Sequence, residues 1–245
     1  MRAIILAAGR GSRLKSLTED KPKCLIQLDK KPLLEWQLEA LRGANITDIG
    51  IVVGYLSEKI NYPELHYFKN EKWDETNMVY SLTCADEWLQ NFTCIISYAD
   101  IVYPSLTVEK LANNVTDEIS IPYNTEWYKL WKKRFKDPLQ DAETFKIDKE
   151  GYLLEIGNKA GNISDIQGQY MGLLKITPDG WRKIHHYLKN NQSVCNSLDI
   201  TKLLNKLIEI GIKIKTIPIN NSWYEIDTQS DIDLYSSMLI HGRVI

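Results

Sequence analysis

Near the start of the chain, Leu6-Ala7-Ala8-Gly9-Arg10-Gly11-Ser12-Arg13-Leu14 combines small residues, two glycines and an arginine, and Lys21-Pro22-Lys23 follows. Glycines after a strand let backbone N–H groups turn inward around phosphate oxygens without a Cβ in the way. Arg13 adds a planar fork suited to phosphate. Together these residues read as a phosphate cradle. A dinucleotide-binding fingerprint needs a third small residue where Leu14 stands, and an acid after the second strand where the chain has Gly54-Tyr55. A Walker-type loop needs Gly-Lys-Ser/Thr, which is absent. A plain strand-to-loop turn explains the two glycines but not Arg13 and Lys23 together.

Two distant acids form the second signal, Asp100 closing Ile95-Ile96-Ser97-Tyr98-Ala99-Asp100 and Asp227 closing Trp223-Tyr224-Glu225-Ile226-Asp227. Mg²⁺ prefers carboxylate oxygens completed by substrate phosphates and water, so two strand-end aspartates can hold one ion against a triphosphate. Taken singly, an aspartate at a strand end is more often a turn residue or a cap. Lys129, Lys133 and Arg134 then place three cations beside Trp127, Tyr128 and Trp131. One reading is an acceptor pocket in which Arg134 grips a phosphate or phosphonate and aromatic faces flank an amine. The other is a solvated basic helix with an apolar stripe. Lys159, in Gly157-Asn158-Lys159, is a further candidate phosphate contact. His185 and His186 have no acid or cysteine at metal spacing and read as surface residues.

Short apolar runs alternate with amphipathic ones through the first half, the pattern of βαβ units and a mainly parallel sheet. Residues 3–8 read as a buried strand, and Leu33, Leu34, Leu38 and Leu41 recur at helical spacing with Gly43 as C-cap. Strands are expected over 49–53, 65–68 and 93–97, with a helix opening at the N-cap Asn77 and running to about Trp88. In the second half, strands are expected over 119–123, 143–147, 152–156, 169–176 and 213–218, and helices over 178–188, 198–210 and 229–239. The expectation is a single α/β domain over 1–245, Rossmann-like, with a mixed, mainly parallel sheet flanked by helices. Residues 1–115 form its nucleotide-binding part, and 116–245 an acceptor-binding, metal-completing elaboration. The site should open at the carboxyl ends of the parallel strands.

The 245 residues carry a net charge of −2 and a pI near 6.1, so no general basic surface invites nucleic acid and any anion site is local. The four cysteines show neither a CxxC pair nor a histidine at metal spacing, which argues against a zinc site or a disulfide framework and for a reducing cytoplasm. No run approaches the ~20 apolar residues of a membrane span. Matches to Asn-x-Ser/Thr, such as Asn91-Phe92-Thr93, are read as chance in an Asn-rich chain. A homodimer is compatible with the sequence but not required by it.

The N-terminal loop resembles the sugar-phosphate nucleotidyltransferases, with their Leu-Ala-Ala-Gly-x-Gly-x-Arg-Leu loop and following Pro-Lys. The resemblance implies that Leu6, Ala7 and Ala8 frame the nucleotide, that Gly9, Gly11 and Arg13 hold the NTP phosphates, and that Lys23 reaches the α-phosphate. Lys23 and Arg13 are then the catalytic cations, and Asp100 and Asp227 bind Mg²⁺. Ala99 departs from the glycine that many members carry before the first aspartate. Gly54-Tyr55, Asn70 and Asn77-Met78-Val79-Tyr80-Ser81-Leu82 look like the cytidylyltransferases that activate phosphocholine, which implies CTP as donor and Asn77 and Ser81 as nucleotide contacts. Residues 128–145, Glu155-Ile156-Gly157 and 169–175 are similar to cytidylyltransferases acting on 2-aminoethylphosphonate or on phosphorylated amino acids such as phosphoglutamine. By that resemblance Lys129, Lys133, Arg134, Lys159, Gln169 and Tyr170 contact the acceptor. Many members of that branch carry Gly-Glu-Tyr-Ile-Gly where this chain has Gly168-Gln169-Tyr170-Met171-Gly172, a lost carboxylate that weighs against a simple aminoethyl group. The implied reaction is in-line attack by an acceptor oxygen on the α-phosphorus of CTP, with pyrophosphate leaving. A sugar-1-phosphate uridylyl- or thymidylyltransferase and a nucleotide-sensing subunit without turnover are the alternatives.

Overall fold

A computed structural model of the chain describes residues 1–240. The first part contains β1 (Arg2–Ala7), β2 (Gln27–Leu28), β3 (Lys31–Pro32), α1 (Leu33–Gly43), β4 (Ile49–Val53), β5 (His66–Lys69), α2 (Met78–Thr83), α3 (Asp86–Asn91), β6 (Cys94–Tyr98), β7 (Ile101–Val102) and α4 (Ser105–Ala112). The second contains β8 (Ile119–Asn124), α5 (Trp127–Arg134), β9 (Glu143–Ile147), β10 (Leu153–Lys159), β11 (Gln169–Tyr170), β12 (Leu173–Ile176), α6 (Pro178–Asn190), α7 (Gln192–Cys195), α8 (Ile200–Glu209), β13 (Lys215–Ile219), β14 (Tyr224–Glu225) and α9 (Gln229–Ile240).

One mixed sheet spans both parts. β5, β4, β1 and β6 run parallel; β12 then joins β6 antiparallel, β8 pairs with β12 and β11, and β13 lies parallel along β8. β1 is apolar on both faces because both faces are covered. Ala3, Ile5 and Ala7 pack with α1, α4 and α5, whereas Ile4, Leu6 and Ala8 pack with α2, α3, α6 and α8. Ile4 and Ile5 are fully buried, each contributing roughly 1.5–3 kcal/mol by burial. A third apolar cluster, from Leu14, Leu28 and Leu33 to Tyr224, Ile226 and Tyr235, seats α9 beneath the N-terminal loop.

Three expectations need correction. Gly43 is the last residue of α1, capped by Ala44, and Asn45 takes the left-handed conformation at φ 60°. The glycine serves packing, because a Cβ there would stand 2.9 Å from Ser105 Cβ on α4. The single helix expected from 77 to 88 is broken at Cys84-Ala85, and Asp86 opens α3 with its carboxylate accepting from Trp181 Nε1 at 2.7 Å. The strand expected over 169–176 is interrupted at Met171-Gly172. The register on β8 slips there, Gly172 sits at φ 73°, and its carbonyl accepts from Tyr98 N at 3.0 Å. Gln169 and Tyr170 stay in the sheet as β11, paired with Asn124 and Tyr123 in a register two residues out of step with β12.

Candidate active site

After β1 the chain turns through Gly9 and Gly11 into two short 3₁₀ turns within Ser12–Thr18, kinked at Lys15 (φ 49°). Gly11 lies at φ 68°, ψ 46°, and a Cβ on it would meet Lys23 Cδ at 2.9 Å. Glycine therefore serves twice here, for the left-handed turn and for the approach of Lys23. Around Gly9 nothing stands within 4 Å of where a Cβ would be, which leaves its backbone open to a ligand. Gly11→Ala is expected to cost about 1–2 kcal/mol through left-handed strain and to displace Lys23, so that turnover falls further than thermal stability. Melting curves and product release measured on the same preparation check this, and parent-like turnover in a destabilised protein contradicts it.

Lys23 is 9% exposed, and its Nζ donates to Asp100 Oδ2 at 2.7 Å and to Asp227 Oδ1 at 2.8 Å. Burial disfavours the ammonium, but Asp100 and Asp227 outweigh it and hold its pKa above the ordinary lysine value. Arg13, largely exposed, reaches Asp227 Oδ1 with Nη2 at 2.9 Å. Two local devices bring these groups together. From α1, Gln37 donates to the carbonyls of Tyr98 at 2.8 Å and Ile101 at 2.7 Å, clamping the turn that carries Asp100. β14 pairs antiparallel with β7, and Ile226 N donates to Asp100 O at 2.9 Å, which sets Asp227 beside Asp100.

Arg134 is buried among carboxylates. Its side chain is 1% exposed; Nε donates to Asp231 Oδ1 at 2.9 Å, Nη1 to Glu225 Oε2 at 3.1 Å, and Nη2 stands 3.9 Å from Asp227 Oδ2. Asp231 Oδ2 in turn accepts from the backbone N–H groups of Asp227 at 3.0 Å and Thr228 at 2.9 Å. The fork thus braces the segment holding Asp227. Burial and Asp227 push the Glu225 carboxyl above its ordinary value, against the pull of Arg134.

Two cavities meet at these groups. One, of about 240 Å³, is lined by Leu6, Ala7, Gly9, Gly11, Lys23 and Asp100 among others. The second, of about 250 Å³, is lined by Asp141, Glu143, Gln169, Tyr170, Asp199 and Asp227 among others. Arg13, Met78 and Tyr98 border both. The first cavity is the glycine-loop cleft, and the second is where an attacking molecule can approach it.

The remaining expected contacts are distributed differently. Lys129 and Lys133 line a separate hollow with Asn221, Tyr224 and Met238, and Lys129 pairs with Glu126. The periodicity of α5 turns its buried Trp127 and Trp131 toward the core, so these lysines leave the reacting centre on another face. Lys159 is exposed at the end of β10, in register with Glu143. Gln169 and Tyr170 line the second cavity. Asn70 donates to Ser81 Oγ at 3.0 Å and Thr76 Oγ1 at 3.1 Å, so the two polar groups expected on the nucleotide face each other. Asn77 caps α2 through Met78 N and also binds the carbonyls of Asn196 and Ser197. A Cβ on Gly54 would meet Ala8 O at 2.8 Å, and Tyr55 N donates to that same carbonyl at 2.9 Å, so this pair shapes the loop.

Trp223, Glu225, Asp141 and Glu143 join the expected residues in the lining. Trp223, Glu225 and Asp227 all line the second cavity, while the intervening Tyr224 and Ile226 pack in the core. Asp141 and Glu143 alternate in the same way with buried Ala142 and Thr144. Period-two alternation marks each as a segment with one polar face turned to the site.

No group of three or more His, Cys, Asp or Glu side chains among the described residues is arranged to hold a metal ion. A divalent cation at Asp100 and Asp227 would draw its remaining ligands from phosphate and water, as Mg²⁺ does. The site fits that demand: the buried Oδ1 of Asp100 has no partner, and both carboxylates already converge on a cationic nitrogen.

Residues 3–151 match the model of the MobA-like NTP transferase domain. The chain belongs to this family. As a nucleotidyltransferase it is 39% identical over 252 residues to CTP:phosphoglutamine cytidylyltransferase of Campylobacter jejuni, covering 96% of this chain and 98% of the relative. Choline-phosphate cytidylyltransferase of Streptococcus pneumoniae is 46% identical over 95 residues, 37% of this chain and 42% of that one. The solved CTP:phosphocholine cytidylyltransferase of Streptococcus pneumoniae shares the fold, with a TM-score of 0.72 at 24% identity over 97% of this chain and 98% of its own. The nucleotidyltransferase fold thus extends across the whole length compared, beyond the matched N-terminal segment.

Proposed function

We propose that this nucleotidyltransferase transfers CMP from CTP to a small phosphorylated or phosphonate acceptor and releases pyrophosphate in the cytoplasm. The observation that carries the reading is the convergence of Lys23, Arg13, Asp100 and Asp227 where the glycine-loop cleft meets a second cavity. Similarity over nearly the full chain to a relative named for CTP and phosphoglutamine supports the choice of donor and acceptor class.

The acceptor oxygen, already ionised at neutral pH, forms a bond to the α-phosphorus as the bond to the β-phosphate oxygen breaks, and pyrophosphate carries the electron pair away. No strong general base is needed, so catalysis rests on position and charge. Backbone N–H groups of the Gly9–Gly11 turn and the Arg13 fork hold the triphosphate. The Lys23 ammonium follows the charge that develops on the α-phosphoryl oxygens. Asp100 and Asp227 would hold a Mg²⁺ ion, which would supply neutralisation of the phosphate charge.

Pyrophosphate release is measured with CTP, UTP, ATP, GTP and dTTP in turn, against phosphocholine, phosphoethanolamine, 2-aminoethylphosphonate, phosphoglutamine and sugar phosphates, with and without Mg²⁺. Release is expected with CTP and a non-sugar acceptor, and only with the metal present. Preference for UTP or dTTP with a sugar phosphate defeats the reading, and nucleotide binding without any release makes the protein a sensor.

A further inference from the structure

Gln37 is a polar side chain where the apolar stripe of α1 calls for a leucine. Leu33, Gln37 and Leu41 follow at four-residue spacing, which puts them on one helix face, and all three are fully buried. The carboxamide reaches away from its own helix. Its Nε2 donates to the carbonyls of Tyr98 at 2.8 Å and Ile101 at 2.7 Å, which bracket the turn joining β6 to β7. Only the amide nitrogen can face two carbonyl oxygens, so chemistry fixes the orientation of the group. The other end is left unmet, because Oε1 is buried without a hydrogen-bond partner. A buried polar atom in that state costs about 1–3 kcal/mol, which a leucine would avoid.

Between the two bonded carbonyls lie the groups that face the site. Tyr98 borders both cavities and Asp100 lines the glycine-loop cleft. The Asp100 carboxylate is weakly restrained by its own contacts: Oδ2 accepts from Lys23, and the buried Oδ1 has no partner. Its direction is therefore set by the backbone that carries it. Tyr98 N donates to Gly172 O at 3.0 Å and Ile226 N to Asp100 O at 2.9 Å, while Ser97 Oγ, itself accepting from Tyr103, adds a donor to Tyr98 O at 3.0 Å. Gln37 alone bonds to both ends of the turn.

We infer that Gln37 is a positioning residue for cytidylyl transfer: by fixing the backbone of residues 98–101 it aims the Asp100 carboxylate at the metal position shared with Asp227. The inference rests on the reading of Asp100 and Asp227 as the Mg²⁺ ligands. The competing account is that the carboxamide satisfies two buried carbonyls and serves stability alone.

The two accounts separate in metal binding. Mn²⁺ takes the same oxygen ligands as Mg²⁺, and its binding is followed by water-proton relaxation in the presence of CTP, without acceptor. The proteins compared are the parent, Gln37→Met, Asp100→Asn and Ile184→Ala. Gln37→Met keeps the side-chain length and removes both donors together with the unmet acceptor, so the loss of stability is partly offset. Its Mn²⁺ affinity is expected to fall about 10-fold, the lower end of what loss of a supporting contact behind a metal ligand costs, and to approach that of Asp100→Asn. Ile184, fully buried on α6 across the sheet, is the control. Its truncation should melt earlier than Gln37→Met yet bind Mn²⁺ like the parent. Parent-like affinity in Gln37→Met with a lowered melting temperature overturns the inference, as does an equal loss of affinity in Ile184→Ala. If Asp100→Asn binds Mn²⁺ as tightly as the parent, the metal reading itself fails and the inference falls with it. Should Gln37→Met not fold, Gln37→Glu, equal in size and with at most one donor, is measured in its place, and parent-like affinity there is equally decisive against the positioning role.

Discussion

Lys23→Ala is expected to lower kcat by roughly 10²–10³-fold, the usual loss when one preorganised donor to developing charge is removed, while the KM for CTP changes little. The Gly9–Gly11 turn and Arg13 remain to hold the triphosphate, so ground-state binding survives. Without nucleotide, the Lys23 ammonium is the shared partner of Asp100 and Asp227, at 2.7 and 2.8 Å. Its removal leaves two carboxylates facing each other, so the variant should melt earlier than the parent and recover part of that loss when Mg²⁺ is added. Steady-state kinetics and melting with and without the metal separate the two roles. Parent-like kcat removes Lys23 from the reaction and leaves it a structural counter-ion.

Arg134→Met carries the largest expected cost in stability, about 3–5 kcal/mol, because one partner of a buried charge network is removed and the others are left uncompensated. Glu225 and Asp231 lose hydrogen bonds of 3.1 and 2.9 Å, and Asp227 loses the most distant of its three cations. For a chain of this size the melting temperature should fall by roughly 10 °C. Arg134→Lys keeps the charge but not the fork, and should fall between parent and Met variant. If Arg134 instead grips the acceptor phosphate, the acceptor KM rises and the melting curve stays in place. Calorimetric melting together with acceptor KM distinguishes the two outcomes.

The residues whose roles depend on neighbours in sequence were legible without coordinates. The apolar run of β1, the glycine turn that follows and the strand-end aspartates announce themselves because strand periodicity, left-handed turns and phosphate recognition act over a few residues. Even the missed residues Trp223, Glu225, Asp141 and Glu143 lie on alternating segments that a period-two reading identifies as two-faced.

Direction across the fold was not legible. The cations on α5 look alike in the sequence, yet helical geometry and the buried Trp127 and Trp131 send Arg134 inward to Asp231 and Glu225 and leave Lys129 and Lys133 over another hollow. Asn70 and Ser81 promise nucleotide contacts until the packing of α2 turns them to each other. The sequence by itself determined the phosphate-binding loop, the two aspartates and the class of sheet, because local backbone chemistry dictates them. Only the tertiary structure decided that Asp227 stands beside Asp100, that Arg134 braces the acids and that the second cavity is acidic. Those outcomes depend on which distant segments pair, here β7 with β14, and on which charges must be neutralised once they are buried.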